Sequence, residues 1–149
     1  MDEVVQSMNL DAISMVGPIG VTLAYLALYY AFMANLLRVK LKLARAYRER
    51  GEKFDRYFAQ DRQMLAADRI QLNMLEHMPP FLVLLWIHAF VVSSSEATIL
   101  GGMYVATRIA YPLALRGRMG RDVPTRLLPI TFTGYLILLV FAVRIILDL

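Results

Sequence analysis

The stretch Arg69-Ile-Gln-Leu-Asn-Met-Leu-Glu-His-Met-Pro-Pro80 sets a cation, an amide and a carboxylate directly ahead of the apolar run Phe81 to Val92. On one helix Arg69, Asn73 and Glu76 fall at i, i+4 and i+7, within roughly 60° of one another around the axis. In water such a stripe is ordinary. In a segment that enters lipid it has to face protein, a cavity or a ligand, because hydrocarbon satisfies none of its hydrogen bonds.

The solvent is read from composition. Hydrophobic residues make up 58% of the 149 residues and the mean hydropathy is +0.51, well above the ~45–50% apolar share of a soluble domain. The chain is predicted to be an integral membrane protein. It has no cysteine, so any thiol chemistry must arrive with a ligand. Two histidines and scattered carboxylates argue against a metal site. The net charge of +4 is not a nucleic-acid signal, because the basic residues gather in two connecting segments, the distribution that orients a membrane protein.

Outward from the quoted stretch, four apolar segments are predicted at about residues 13–37, 64–92, 97–115 and 127–147, each close to the ~20 residues needed to cross hydrocarbon. Met1 to Asp11 is acidic and lacks the cationic start of a secretory signal, so the first segment is expected to remain as an anchor. Tyr25, Tyr29 and Tyr30 in that segment suit helix packing better than an interfacial belt. Between residues 38 and 68 the composition turns abruptly charged, with helical spacing persisting until a break near Gly51. Pro79 and Pro80 fall inside the second span, just after Glu76. Ser93 to Glu96 reads as a polar turn, and Arg116, Arg118, Arg121 and Arg126 form the second basic connector.

With four spans both basic connectors share one face. The positive-inside rule makes it cytoplasmic and puts both termini on the other side, in a bacterial inner membrane or the endoplasmic reticulum. The expected architecture is all-α: one membrane domain over residues 1–149, an up-down four-helix transmembrane bundle. In it Arg108, on a face with Tyr104 and Tyr111, meets the Arg69, Asn73, Glu76 stripe at one depth. A charge inside a span costs about 2.5–3.5 kcal/mol on insertion scales, and two readings account for it. One is a Glu76–Arg108 ion pair that locks the bundle. The other is an anion site, because Arg69, Arg108, Arg121 and Arg126 outnumber Glu76 and Asp68 and forked guanidinium donors hold carboxylates bidentately. A ligand with two carboxylates, an ammonium and a thiol fits, and neighbouring cations favour its thiolate. His88, beside Trp86, is read as hydrogen-bonded between helices, and the methionines as packing.

The same residues carry a family resemblance. Arg69-x-x-x-Asn73-x-x-Glu76-x-x-Pro79 resembles the signature of the MAPEG family, the membrane-associated proteins in eicosanoid and glutathione metabolism. Arg108-x-x-Tyr111 resembles the family's second motif, and Arg126-Leu-Leu-Pro129 the start of the fourth helix in its leukotriene-C synthases. The resemblance implies a homotrimer that binds glutathione as co-substrate between subunits, near the cytosolic face, with a lipophilic electrophile arriving from the bilayer. It implies that Arg69, Asn73 and Glu76 hold the glutathione backbone, with Gln71 and Arg108 assisting, Tyr111 nearby and Arg38 as a carboxylate partner. Arg126 takes the thiolate-stabilising role, with Arg121 as its rival. The chain departs from the leukotriene-C synthases at His77, where they have tyrosine, and in a longer connector before Arg126, and from several family members at Leu115, where they have another tyrosine. The implied activity is glutathione transfer, with peroxidase activity alongside; the alternatives are a non-catalytic lipid-binding and presenting protein, or a structural bundle.

Overall fold

The computed structural model describes residues 15–58, 61–115 and 125–149. Its elements are four helices: α1 Val16–Glu49, α2 Arg62–Val91, α3 Ser94–Leu115 and α4 Leu127–Asp148. They form the transmembrane bundle, with α1 and α4 both packed on the α2–α3 pair. Three of them, α1, α2 and α4, are long and apolar enough to cross a membrane. The third helix is more polar because it carries Glu96, Arg108, two tyrosines and two glycines. Like α2 it packs against all three other helices, and protein rather than lipid covers its polar groups.

The 34 residues of α1 measure about 51 Å at 1.5 Å per residue, well beyond a ~30 Å hydrocarbon core. Its charged end therefore continues out of the bilayer. There the helix closes in a Schellman motif, with Gly51 at φ 75°, its N–H donating to the Arg48 carbonyl and that of Glu52 to the Tyr47 carbonyl. In the connector the Asp55 carboxylate accepts from the backbone N–H groups of Phe58 and Tyr57, which hold its pKa below the ordinary value. Asp61 then caps α2, accepting from Gln63 N at 2.8 Å and Met64 N at 3.3 Å. An ion pair of 3.1 Å between Lys40 and Asp68 ties α1 to α2 at this end.

At the opposite end only Val92 and Ser93 separate α2 from α3. The polar run expected to be a turn is instead the first turn of α3: Ser93 Oγ accepts from the Glu96 N–H, in the Ser-x-x-Glu pattern of a helix start. Glu96 then reaches across to α4, accepting from Arg144 Nε at 3.0 Å and Nη2 at 3.2 Å. His88 is fully buried, and its ring nitrogens have no hydrogen-bond partner among the described residues. Its ring stands edge-on to Phe141, with Nε2 3.8 Å from the Glu96 carboxylate, so the interhelical bond expected from the sequence is not made.

The core centres on three rings from three helices. Phe81 and Tyr104 stack with centroids 4.3 Å apart, and Tyr25 lies 4.9 Å from Phe81. Close approach requires Gly101, where a Cβ would sit 2.8 Å from Val21 and 2.9 Å from Leu85. The proline pair leaves α2 continuous, though it deprives the carbonyls of Leu75 and Glu76 of their donors. Just before them, Tyr25 Oη donates to the Met74 carbonyl at 2.6 Å. Tyr25→Phe removes that bond while keeping the ring, and is expected to cost about 1 kcal/mol, read as a drop of a few degrees in thermal midpoint in detergent. A second cluster of Ala66, Ile70, Tyr111, Leu115 and Leu127 closes the connector end.

Candidate functional site

The polar stripe of α2 divides. Asn73 is buried, whereas the side chains of Arg69 and Glu76 are 44% and 54% exposed and pair with each other at 3.6 Å. The expected Glu76–Arg108 ion pair is not formed. Helix geometry supplies the reason: Glu76 is two turns on from Arg69 and roughly 20° to one side of it, while Asn73 lies roughly 40° to the other, toward α3. Arg108 therefore meets the amide, not the carboxylate.

Arg108 is 2% exposed. Its Nη1 donates to Asn73 Oδ1 at 2.9 Å and its Nε to Thr107 Oγ1 at 3.2 Å, and that hydroxyl in turn donates to the Tyr104 carbonyl at 2.7 Å. The guanidinium lies 4.9 Å over the Tyr104 ring, an orientation that favours a cation. Its Nη2 is buried without a hydrogen-bond partner among the described residues, as is Tyr104 Oη. Nη2 also abuts Gly134 of α4, where a side chain would strike it. Among the described residues no carboxylate within hydrogen-bond reach neutralises this cation, an arrangement that is costly unless a counter-charge is supplied.

The other candidates take up distinct places. Tyr111 is buried one turn from Arg108, against Leu127, and this contact sets Arg126, the exposed residue preceding α4, at the Tyr111 end of the bundle. Gln71 points away from Arg69, roughly 160° around α2, and donates to Tyr29 Oη of α1 at 3.4 Å. Arg38 is exposed on α1, beside Leu41, Lys42 and Arg45. Arg121 lies outside the described residues. The chain thus joins Asn73 to Arg108 and Arg69 to Glu76, and leaves Gln71 and Arg38 apart from them.

Two features were not singled out from the sequence, and a third, His77, was noted there only as a departure from the family pattern. The Lys40–Asp68 pair has only an excess of connector charge as its signal. Gly134 looks like any small residue in a span. His77, 7% exposed, packs its ring on Tyr135 of α4, with centroids 5.1 Å apart; helical spacing does place His77 one turn from Asn73. On the outer face of α1 a cleft of about 490 Å³ is lined by Tyr30, Met33 and Leu37, with Lys40, Arg56 and Tyr57 at its connector end.

Spanning helices enclosing a buried, unneutralised arginine at the connector end define an integral membrane protein with a polar site set inside an apolar bundle. The MAPEG family model matches residues 18–147, nearly the whole chain, and the chain belongs to that family of membrane proteins of eicosanoid and glutathione metabolism. No curated protein matches it.

Proposed function

We propose that the protein is a membrane glutathione transferase, and the observation that carries this reading is the buried Arg108 guanidinium with Nη2 unpaired. A carboxylate of glutathione supplies the counter-charge that the bundle does not. Arg69 and Asn73 hold the tripeptide backbone, Glu76 receives its ammonium, and Arg108 and Tyr111 close the inner wall. Arg69 and Glu76 open onto the outside of the subunit, whereas Gln71 and Arg38 lie elsewhere on it. A homotrimer with the site between subunits reconciles these positions, since a neighbour's Gln71 and Arg38 complete the pocket.

Both basic connectors then face the cytoplasm and both termini the other side. Arg126 lowers the thiol pKa and holds the thiolate, and the lipophilic electrophile arrives through the bilayer along the α1 cleft. The protein supplies binding, orientation and charge stabilisation for attack by that thiolate. The same cleft, apolar with a cationic mouth, favours a second reading as a non-catalytic lipid-presenting protein.

Calorimetric titration with glutathione in detergent, beside conjugation of chlorodinitrobenzene, separates them. The transferase binds glutathione and turns over. Arg126→Ala is expected to lower kcat about 100-fold, the usual effect of removing one anion-stabilising donor, with the dissociation constant changed far less. Loss on Arg121→Ala instead moves the thiolate role to that residue. Wild-type protein that does not bind glutathione sinks the transferase reading.

A further inference from the structure

The connector between α1 and α2 takes a detour. Helix α1 ends at Glu49, twelve residues past Leu37, where its apolar run stops, and so about 18 Å outside the hydrocarbon. Helix α2 starts at Arg62, six residues ahead of Asp68, about 9 Å beyond the level at which Asp68 meets Lys40. The chain does not pass directly from one to the other. Arg56 borders two clefts on α1, one with Met33, Leu37 and Lys40 and the other with Lys40, Leu41 and Ala44, and Tyr57 lines the first of them. The connector therefore descends past the start of α2 to about the level of Lys40. That level is three residues, about 4.5 Å, beyond Leu37, within the ~5–7 Å that headgroups occupy on each side of the hydrocarbon.

Two sets of contacts hold the descent in place. Phe54 packs its ring on Tyr47 of α1, with centroids 5.3 Å apart. The Asp55 carboxylate then accepts from the backbone N–H groups of Tyr57 and Phe58 at 2.9 Å each, a turn that leaves both side chains displayed. They are 78% and 84% exposed. Two adjacent rings held open to water gain nothing there, whereas aromatic side chains at headgroup level are where spanning proteins anchor. Charge points the same way. Arg56 pairs with no carboxylate among the described residues, while Asp68 takes the charge of Lys40, and a basic residue at this depth is drawn to an anionic lipid surface.

We propose that the connector tip, Arg56, Tyr57 and Phe58, is a membrane-docking surface seated in the headgroup layer of the adjoining leaflet. The two rings lie between lipids, and the Arg56 guanidinium meets the phosphate of an anionic phospholipid. Lipid is the occupant because the bundle already spans the bilayer and carries the tip to its surface. Tyr57 and Arg56 also form the connector end of the α1 cleft, so that cleft opens into the leaflet rather than into water. None of the three residues takes part in the proposed glutathione site.

Tryptophan fluorescence in vesicles tests the docking. Trp86 is the one tryptophan of the chain, and Trp86→Phe keeps a ring against Phe90. On that background Tyr57→Trp or Phe58→Trp places a single reporter at the exposed tip, where neither disturbs the core. The vesicles mix phosphatidylcholine with phosphatidylglycerol, one or the other brominated on the acyl chains near the headgroup. Brominated lipid is expected to quench both reporters, and aqueous iodide to quench them far less than it quenches free tryptophan. Brominated phosphatidylglycerol is expected to quench more strongly than brominated phosphatidylcholine, and Arg56→Gln to reduce that preference about five-fold, the share of one basic residue at an anionic surface. Reporters that iodide reaches freely and brominated lipid does not place the tip in water and overturn the docking surface. Reporters shielded from both place it against protein, a second copy or another chain, and overturn it equally. Lipid quenching whose preference Arg56→Gln leaves unchanged overturns the phosphate contact.

Discussion

Arg108→Ala is expected to weaken glutathione binding about ten- to 100-fold while leaving the bundle nearly as stable as before. Two opposing terms decide this. The substitution strands the buried Asn73 amide, at about 1–3 kcal/mol, and opens a cavity where the guanidinium packed over Tyr104. Against that, it removes a buried cation with no carboxylate partner in hydrogen-bond reach, worth about 2.5–3.5 kcal/mol on insertion scales. The two are of similar size, so the thermal midpoint in detergent should move by only a few degrees. Arg108→Met fills more of the space and should raise it above the alanine variant, as apolar replacements of buried charges often do. Affinity has no such compensation. A charge-assisted hydrogen bond to a ligand carboxylate is worth about 1.5–3 kcal/mol, and each 1.4 kcal/mol is ten-fold in Kd, so binding weakens about ten- to 100-fold. A collapse of the thermal midpoint with glutathione affinity intact would instead make Arg108 a structural lock.

The elements that generate the bundle were legible because they act locally. Apolar runs of spanning length and the glycine at Gly51 announce the helices through their own chemistry; the Asp61 cap is just as local, though the second span was expected to begin only at about residue 64. Ser93-x-x-Glu96 was equally local, and shows that a polar cluster between two apolar runs can be a helix start rather than a turn. The site was legible only as a set of residues. Spacing put Arg69, Asn73 and Glu76 on one stripe, but a difference of roughly 60° within that stripe decides which of them meets Arg108. That angle depends on how α2 and α3 pack, which no spacing along one helix reveals. Gly134 is the extreme case, since nothing in the sequence of α4 says that the residue opposite it is an arginine from α3.

Gly134→Ala tests that contact directly. The added methyl falls on Arg108 Nη2, the far end of a flexible side chain, which ordinarily swings aside at little cost. Here it is pinned, since Nη1 is bonded to Asn73 and Nε to Thr107. Relief therefore comes by breaking one of those bonds or by displacing α4, and overpacking of this kind costs about 1–3 kcal/mol. Both routes also cover or misdirect the nitrogen proposed to receive the ligand carboxylate, so glutathione affinity is expected to fall about ten-fold, one hydrogen bond's worth. The decisive measurement is the double variant. With Arg108→Ala already in place the methyl enters space the guanidinium has vacated, and Gly134→Ala should become neutral or stabilising. The coupling energy then lies in the 0.5–3 kcal/mol range of residues in contact. Additive effects would mean that the methyl is accommodated without touching the arginine, and that the small residue at 134 serves helix approach alone.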